Sequence, residues 1–215
     1  MSLLDLGGLL PHLDAVPLAR RQGRVVQVVG TVIEAELPGV AVGELAEIGE
    51  TTTEVIGFRE HRALLMPLGP LEGVACGSAV RVRSNQLSIP AGPGLLGRVI
   101  DPLGAPMDGR PLKDVPFQRL LNASAPDPMK RSRIERSLPT GIRVIDGLLT
   151  LGCGQRIAVM AGSGVGKSTL LGMFARNSNA TVNVVALIGE RGREVREFLE
   201  RDLGEEGLQR SVIVL

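Results

Sequence analysis

The stretch "AGSGVGKST", residues 161–169, places three glycines, a lysine and two adjacent hydroxyl residues within nine positions. Glycines let a backbone turn tightly and approach a ligand closely. A lysine brings a mobile cation, and a serine hydroxyl is a ligand for a hard divalent ion. The frame Ala161, four residues, Gly166, Lys167, Ser168 is that of a phosphate-cradling loop, G-x-x-x-x-G-K-[ST], with alanine at its first position. That departure is mild, because Gly162, Gly164 and Gly166 still supply backbone freedom. The spacing assigns a nucleotide-binding set: Ala161, Gly162, Ser163, Gly164, Val165, Gly166, Lys167, Ser168 and Thr169. Loop N–H groups are expected to wrap a β-phosphate at the positive end of the following helix. Lys167 is expected to reach the β- and γ-phosphates, and the Ser168 hydroxyl to ligate Mg²⁺, so ATP and Mg²⁺ are the implied cofactors.

Hydrolysis asks for more than a loop. The next apolar run ends at "LIGERGRE", residues 187–194. In a parallel sheet the C-terminal ends of neighbouring strands share one rim, which lets Glu190 face Lys167. A carboxylate there can polarise an attacking water. Arg191 can touch the phosphates, and Glu194 can hold a water on Mg²⁺. The same three residues also read as ordinary exposed groups at a helix start, where acids are favoured in any case. Arg193 with Glu197, and Arg196 with Glu200, read as surface pairs one helical turn apart.

Positioning these groups needs a strand before the loop and a helix after it. "QRIAVMA" supplies an apolar run expected to be a buried strand over 157–160, and "KSTLLGMFARNS" an apolar-faced helix. "VNVVALIG" and "SVIVL" are further apolar runs, separated by the amphipathic "RGREVREFLERDL". Strands apolar on both faces, alternating with helices, predict a parallel sheet covered by helices. The last run is expected at a sheet edge without a neighbour. Upstream, "GIRVIDGLLTLG" predicts a short helix ended by Gly152. Residues 23–89 follow a different rule. "GRVVQVVGTVIEAEL", "GVAVGELAEI", "TTTEVIGFREHRALLMPL" and "GSAVRVRSNQLSI" are rich in β-branched residues and bounded by Gly or Pro, which predicts a small closed barrel. The fold class is therefore an all-β small barrel followed by an incomplete α/β phosphate-loop domain. The expected organisation is a leader at 1–20, a barrel at 21–90, a Gly/Pro-rich connector at 91–140 and a partial nucleotide-binding domain at 141–215. The leader reads either as a frayed terminus or as a docking segment.

Composition narrows the function classes. The formal net charge is +1, too small to recruit nucleic acid or an anionic membrane by its field. Trp and Tyr are absent, which argues against base-stacking platforms. The basic cluster Lys130, Arg131 and Arg133 reads as a solvated linker. The two cysteines, Cys76 and Cys153, match no metal spacing and read as reduced thiols of a cytosolic protein. The first residues lack the basic flank of a secretory signal.

Taken together, "TGIRVIDGLLTLGCGQR", "AGSGVGKSTLLG" and "ALIGERGREVREFLERDLGEEGLQRSVIV" resemble the secretion ATPases of bacterial type III systems, relatives of the rotary ATP synthase catalytic subunit. "GTVIEAELPGVAVGELAEI" and "LLGRVIDPLGAPMDGRPL" fit the same family. The resemblance runs from about residue 20 to the end. It implies an ATP-hydrolysing translocase that energises export of unfolded protein substrates, in the cytoplasm and peripheral at the inner membrane. It implies a homohexamer, with a central stalk, a stator-like regulator bound through the leader, and chaperone–substrate complexes as partners. Lys167 and Ser168 match the family's loop lysine and Mg²⁺ ligand, Glu190 its catalytic glutamate and Arg191 its phosphate-contacting arginine. Non-catalytic relatives carry Gln where Glu190 stands. The wording of "AELPGVAVGEL" and "GIRVIDGLLT" leans to the injectisome branch over the flagellar one.

Members of that family continue for about as many residues again, supplying a second Mg²⁺-fixing carboxylate, an arginine finger and the adenine pocket. The chain therefore reads as a truncated product, expected to show little or no ATPase activity alone. An inactive ring subunit or pseudogene product is the alternative. A hexameric nucleic-acid translocase shares the architecture but conflicts with the charge and the aromatic-poor barrel.

Overall fold

The computed structural model describes residues 21–162 and 164–215, the side chains of Ser84 and Asn85 excepted. The expected leader and Ser163 lie outside the described residues. The chain divides into two compact units between Leu87 and Ser88.

The first unit is a closed six-stranded antiparallel barrel. Its strands are β1 (Gln22–Val29), β2 (Val32–Glu36), β3 (Glu44–Ile48), β4 (Thr51–Arg59), β5 (Arg62–Pro67) and β6 (Ala79–Gln86), ordered β1-β2-β5-β4-β3-β6 with β6 closing on β1. Two of the expected runs each fold into a hairpin. "GRVVQVVGTVIEAEL" reverses at Gly30, whose φ is 60°, so that Val29 pairs with Val32. "TTTEVIGFREHRALLMPL" reverses at Glu60 and His61, pairing Arg59 with Arg62. Two-residue turns of this kind need positive φ to match the strand twist. Alternate residues point inward, giving a core of Val25, Ile33, Ala35, Leu37, Ala46, Ile48, Val55, Ala63, Leu65 and Val80. Thr53 joins it at no cost in unmet polarity, because its hydroxyl donates to the Ala46 carbonyl at 2.9 Å.

One charge is buried among these strands. Glu34 is 3% exposed, receives Gln27 at 2.9 Å, and pairs with Arg59 at 2.8 Å and Arg62 at 3.2 Å. Desolvation opposes its ionisation. The Gln27 and Arg62 hydrogen bonds, with the fields of both arginines, more than offset that and hold the carboxyl below its ordinary range.

The second unit opens with β7 (Ser88–Ala91), which pairs antiparallel with β9 (Phe117–Leu120). Between them runs β8 (Arg98–Ile100), the first strand of a parallel sheet ordered β10-β11-β8, with β10 at Asn183–Ala186 and β11 at Ser211–Val214. Besides short 3-10 turns at Pro93–Leu95 and Pro128–Lys130, four α- or π-helical stretches accompany it among the described residues. They are α1, a π-helical turn at Ile145–Leu149; α2 at Lys167–Asn177; α3 at Gly192–Glu197, continued by a π-helical turn at Phe198–Leu203; and α4 at Gly204–Gln209. Ala175 of α2, Phe198 and Leu203 of the π turn and Ile213 of β11 form the core.

Two expectations fail here. The last strand, β11, is the middle of the sheet, not an edge: β8, from the expected connector, pairs along its other side, and Ile213 is fully buried. Conversely, residues 157–160 form no strand. No described strand hydrogen-bonds to them, and without such a partner an extended backbone has no ladder to join. Ile157 and Met160 are accordingly exposed, Met160 at 91%.

Candidate functional site

The glycine-rich stretch forms the mouth of α2. Gly164 and Gly166 both take positive φ, 77° and 93°, a backbone that a side chain would strain. Gly166 caps the helix, and the Gly166 carbonyl accepts the first helical bond from Leu170 N–H at 2.9 Å. Lys167, Ser168 and Thr169 make up the first turn. That turn leaves its leading N–H groups without helical partners, pointing out of the positive end of the helix dipole.

Opposite it, the chain leaves β10, turns at Gly189 (φ 71°) and enters α3. Glu190 lies in this turn, and its Oε1 stands 3.7 Å from Lys167 Nζ. Both side chains remain partly open to solvent, at 46% and 29% exposure. Together they flank a cleft of about 530 Å³ lined by the loop, by Ser168 and Thr169, and by Glu190, Glu194, Glu197, Arg201 and Asp202. Arg191 is not among the lining residues. It is the N-cap residue of α3, 88% exposed, and turns to Glu194 at 3.5 Å. Val165 is exposed at the loop tip and does not line the cleft.

Three lining residues were not singled out by sequence reasoning. Glu197 pairs with Arg201 at 2.8 Å, whereas the spacing suggested Arg193. Arg196 does pair with Glu200, at 2.9 Å. Asp202 is almost wholly buried, and its Oδ1 lies 3.3 Å from the Thr169 hydroxyl and 3.5 Å from Arg201 Nε. The π-helical turn carries Asp202 to the cleft; a helix reading at 3.6 residues per turn puts it elsewhere.

Two further sets of bonds fix the elements around α2: one at the entry to α1, the other between β10 and α2. Asp146 accepts from Thr140 N–H at 2.9 Å, Thr140 hydroxyl at 2.7 Å and Gly141 N–H at 2.9 Å. The hydroxyl bond first, then the two backbone bonds, hold its carboxyl below the ordinary range against the cost of burial. Asn183 at the start of β10 donates to the Ala175 carbonyl at 2.8 Å, tying the sheet to α2.

A glycine-rich loop at a helix start, facing a carboxylate on the rim of a parallel sheet and following a six-stranded barrel in sequence, has counterparts among known proteins. Residues 141–215 match the nucleotide-binding domain of the ATP synthase alpha/beta family, and residues 25–82 match that family's beta-barrel domain. The chain belongs to the ATP synthase alpha/beta family.

Among its relatives is the type 3 secretion system ATPase of Xanthomonas euvesicatoria, 48% identical over 209 residues, covering 94% of this chain and 47% of that protein. The flagellum-specific ATP synthase of Bacillus subtilis is 47% identical, over 91% of this chain and 46% of that one. A solved structure of the assembled ATPase EscN with its central stalk EscO, from the enteropathogenic E. coli type III secretion system, superposes with a TM-score of 0.80 at 43% identity, covering 89% of this chain and 48% of EscN. The resemblance to the type III secretion ATPases read from the motifs is thus borne out, as is the barrel-plus-partial-nucleotide-domain fold class. The chain spans about half the length of the curated relatives it matches.

Proposed function

We propose that the cleft binds ATP with Mg²⁺, and that the chain carries the nucleotide-binding part of an ATPase that energises export of unfolded proteins through a type III system. The observation that carries this reading is the facing of Lys167 and Glu190 at 3.7 Å across a cleft walled by the glycine loop. With nucleotide bound, the Lys167 ammonium transfers its attraction from the Glu190 carboxylate to the β- and γ-phosphates. Loop N–H groups from Ala161 to Thr169 take the phosphate oxygens. Glu190 is then free to accept a proton from a water aligned on the γ-phosphate. Arg191 contacts the phosphates after leaving Glu194.

Among the described residues no three His, Cys, Asp or Glu side chains form a ready metal site. Mg²⁺ keeps waters and takes phosphate oxygens alongside one or two protein groups. The Ser168 hydroxyl, and Glu194 through a water, are the residues placed to hold it, and the ion would neutralise charge on the transferring phosphoryl group.

The assembled, stalk-bound EscN structure supports an oligomer acting on a central stalk; the proposal takes that oligomer to be a homohexamer, with a stator-like regulator and chaperone–substrate complexes as further partners. Among the described residues no helix is long and apolar enough to cross a membrane. Peripheral association at the cytoplasmic side of the inner membrane fits the reading. Relatives come from both secretion and flagellar systems.

The test is Glu190→Gln in a chain of the relatives' length. The amide keeps shape and hydrogen bonding but cannot take a proton. Steady-state ATP hydrolysis should fall on the order of 10²-fold or more while nucleotide binding persists. Parental turnover would remove Glu190 from the mechanism.

A further inference from the structure

The buried carboxylate on the far wall of the cleft has no part in the mechanism above. Asp202 is 5% exposed, yet it lines the cleft together with the loop. It gets there through helix geometry. Residues five apart on an α-helix stand about 140° apart around the axis. At the roughly 4.4 residues per turn of a π-helix they stand only about 50° apart. The π turn at Phe198–Leu203 therefore brings Asp202 onto the face that already carries Glu197, and all of Glu197, Arg201 and Asp202 border the cleft.

The main chain at the same residue sets how close α2 can come. Gly172 lies one turn after Thr169 on the same helix face, and a Cβ at Gly172 would collide with the Asp202 carbonyl. Helix α2 is thus seated directly on the π turn. The Asp202 side chain then reaches one turn back toward the loop, to the Thr169 hydroxyl at 3.3 Å, long for such a pair. Arg201 Nε approaches the same oxygen at 3.5 Å and keeps its guanidinium paired with Glu197.

We propose that Asp202 is a positioning residue for the phosphate loop. Its carboxylate accepts from Thr169 and fixes the first turn of α2, so that the N–H groups of Lys167, Ser168 and Thr169 hold one direction toward the phosphates. This rests on the nucleotide-binding reading, and it adds a residue that touches neither phosphate nor metal. Preorganised donors bind an anion more tightly than donors that must be ordered on binding.

The experiment is a double-mutant cycle on the 215-residue chain, reading the affinity for a fluorescent N-methylanthraniloyl derivative of ADP with Mg²⁺. Asp202→Leu and Thr169→Val should each weaken binding on the order of ten-fold, the range for losing a hydrogen bond to a charged group. The double variant should bind no more weakly than the weaker single. Asp202→Asn keeps an acceptor oxygen and should retain most of the affinity. Thermal midpoints without nucleotide separate loss of fold from loss of binding. Asp202→Ala serves in the cycle if the leucine prevents folding, and failure of both to fold would make Asp202 a purely structural residue and overturn the proposal. Full additivity of the two losses, or parental affinity in a folded Asp202→Leu, would also overturn it. Lys167→Ala is the control: if the parent binds no nucleotide, or this variant binds as the parent does, the nucleotide reading itself fails. A Lys167-dependent affinity that ignores Asp202 sinks only the present inference.

Discussion

Arg98 and Asp108 show how single residues of the second unit are held. Arg98 Nε and Nη2 meet the two Asp108 oxygens at 2.6 Å and 2.7 Å, and the guanidinium also donates to the Arg110 and Pro111 carbonyls. A bidentate pair at 9% and 14% exposure is shielded from solvent screening. The Arg98 hydrogen bonds, aided by Arg110, hold the Asp108 carboxyl well below the usual carboxylate range despite the cost of burial. A group whose native value is lowered stabilises the fold above its unfolded value, about pH 4, and loses that contribution as pH falls through the native value. The parent should therefore exceed Asp108→Asn in urea midpoint by a constant margin from pH 7 to pH 5, and the margin should shrink below about pH 4. A margin independent of pH would contradict the assignment. Within the cleft, the gathering of Lys167, Ser168, Glu190 and Glu194 on one lining is legible in the sequence, because it follows from residue type and from the shared rim of strand ends. Asp202 was not legible: its face depends on a π turn, and no composition signal marks one in "FLERDL".

Among the elements, the barrel strands could be read because alternation and glycine turns act locally. The helix at Lys167–Asn177 likewise starts at its glycine cap and follows its apolar face. Strand neighbours are another matter. "RIAVMA" and "SVIVL" look alike as apolar runs, yet one is exposed and the other is the centre of the sheet. The difference lies in the partner, and the partner of β11 on one side is the short "RVI" of β8, too brief to announce itself in a stretch dominated by Gly and Pro. β10 has β11 on one side only, and Val184 on it is 71% exposed. An apolar edge strand offers unpaired N–H and C=O groups to other chains. Val184→Lys should therefore lower self-association of the 215-residue chain at high concentration, measured by sedimentation velocity. Unchanged or increased association would show that this edge is not the one through which chains pair.

For the whole molecule, two compact units divide the work. The barrel closes all its strand edges on itself, so it has no open ladder to offer another strand. The second unit gathers, from segments spread over residues 161–202, the cleft proposed to receive the phosphates of a nucleotide. Lys167 supplies the ammonium beside the loop, is 46% exposed and takes no part in either core. Its removal should spare the fold and remove the attraction. The direct measurement is calorimetric titration of Mg²⁺–ATP into the 215-residue chain and into Lys167→Ala. The parent should bind saturably and the variant at least ten-fold more weakly, with equal thermal midpoints in the absence of nucleotide. Equal affinity in the two proteins would contradict the nucleotide reading of the cleft.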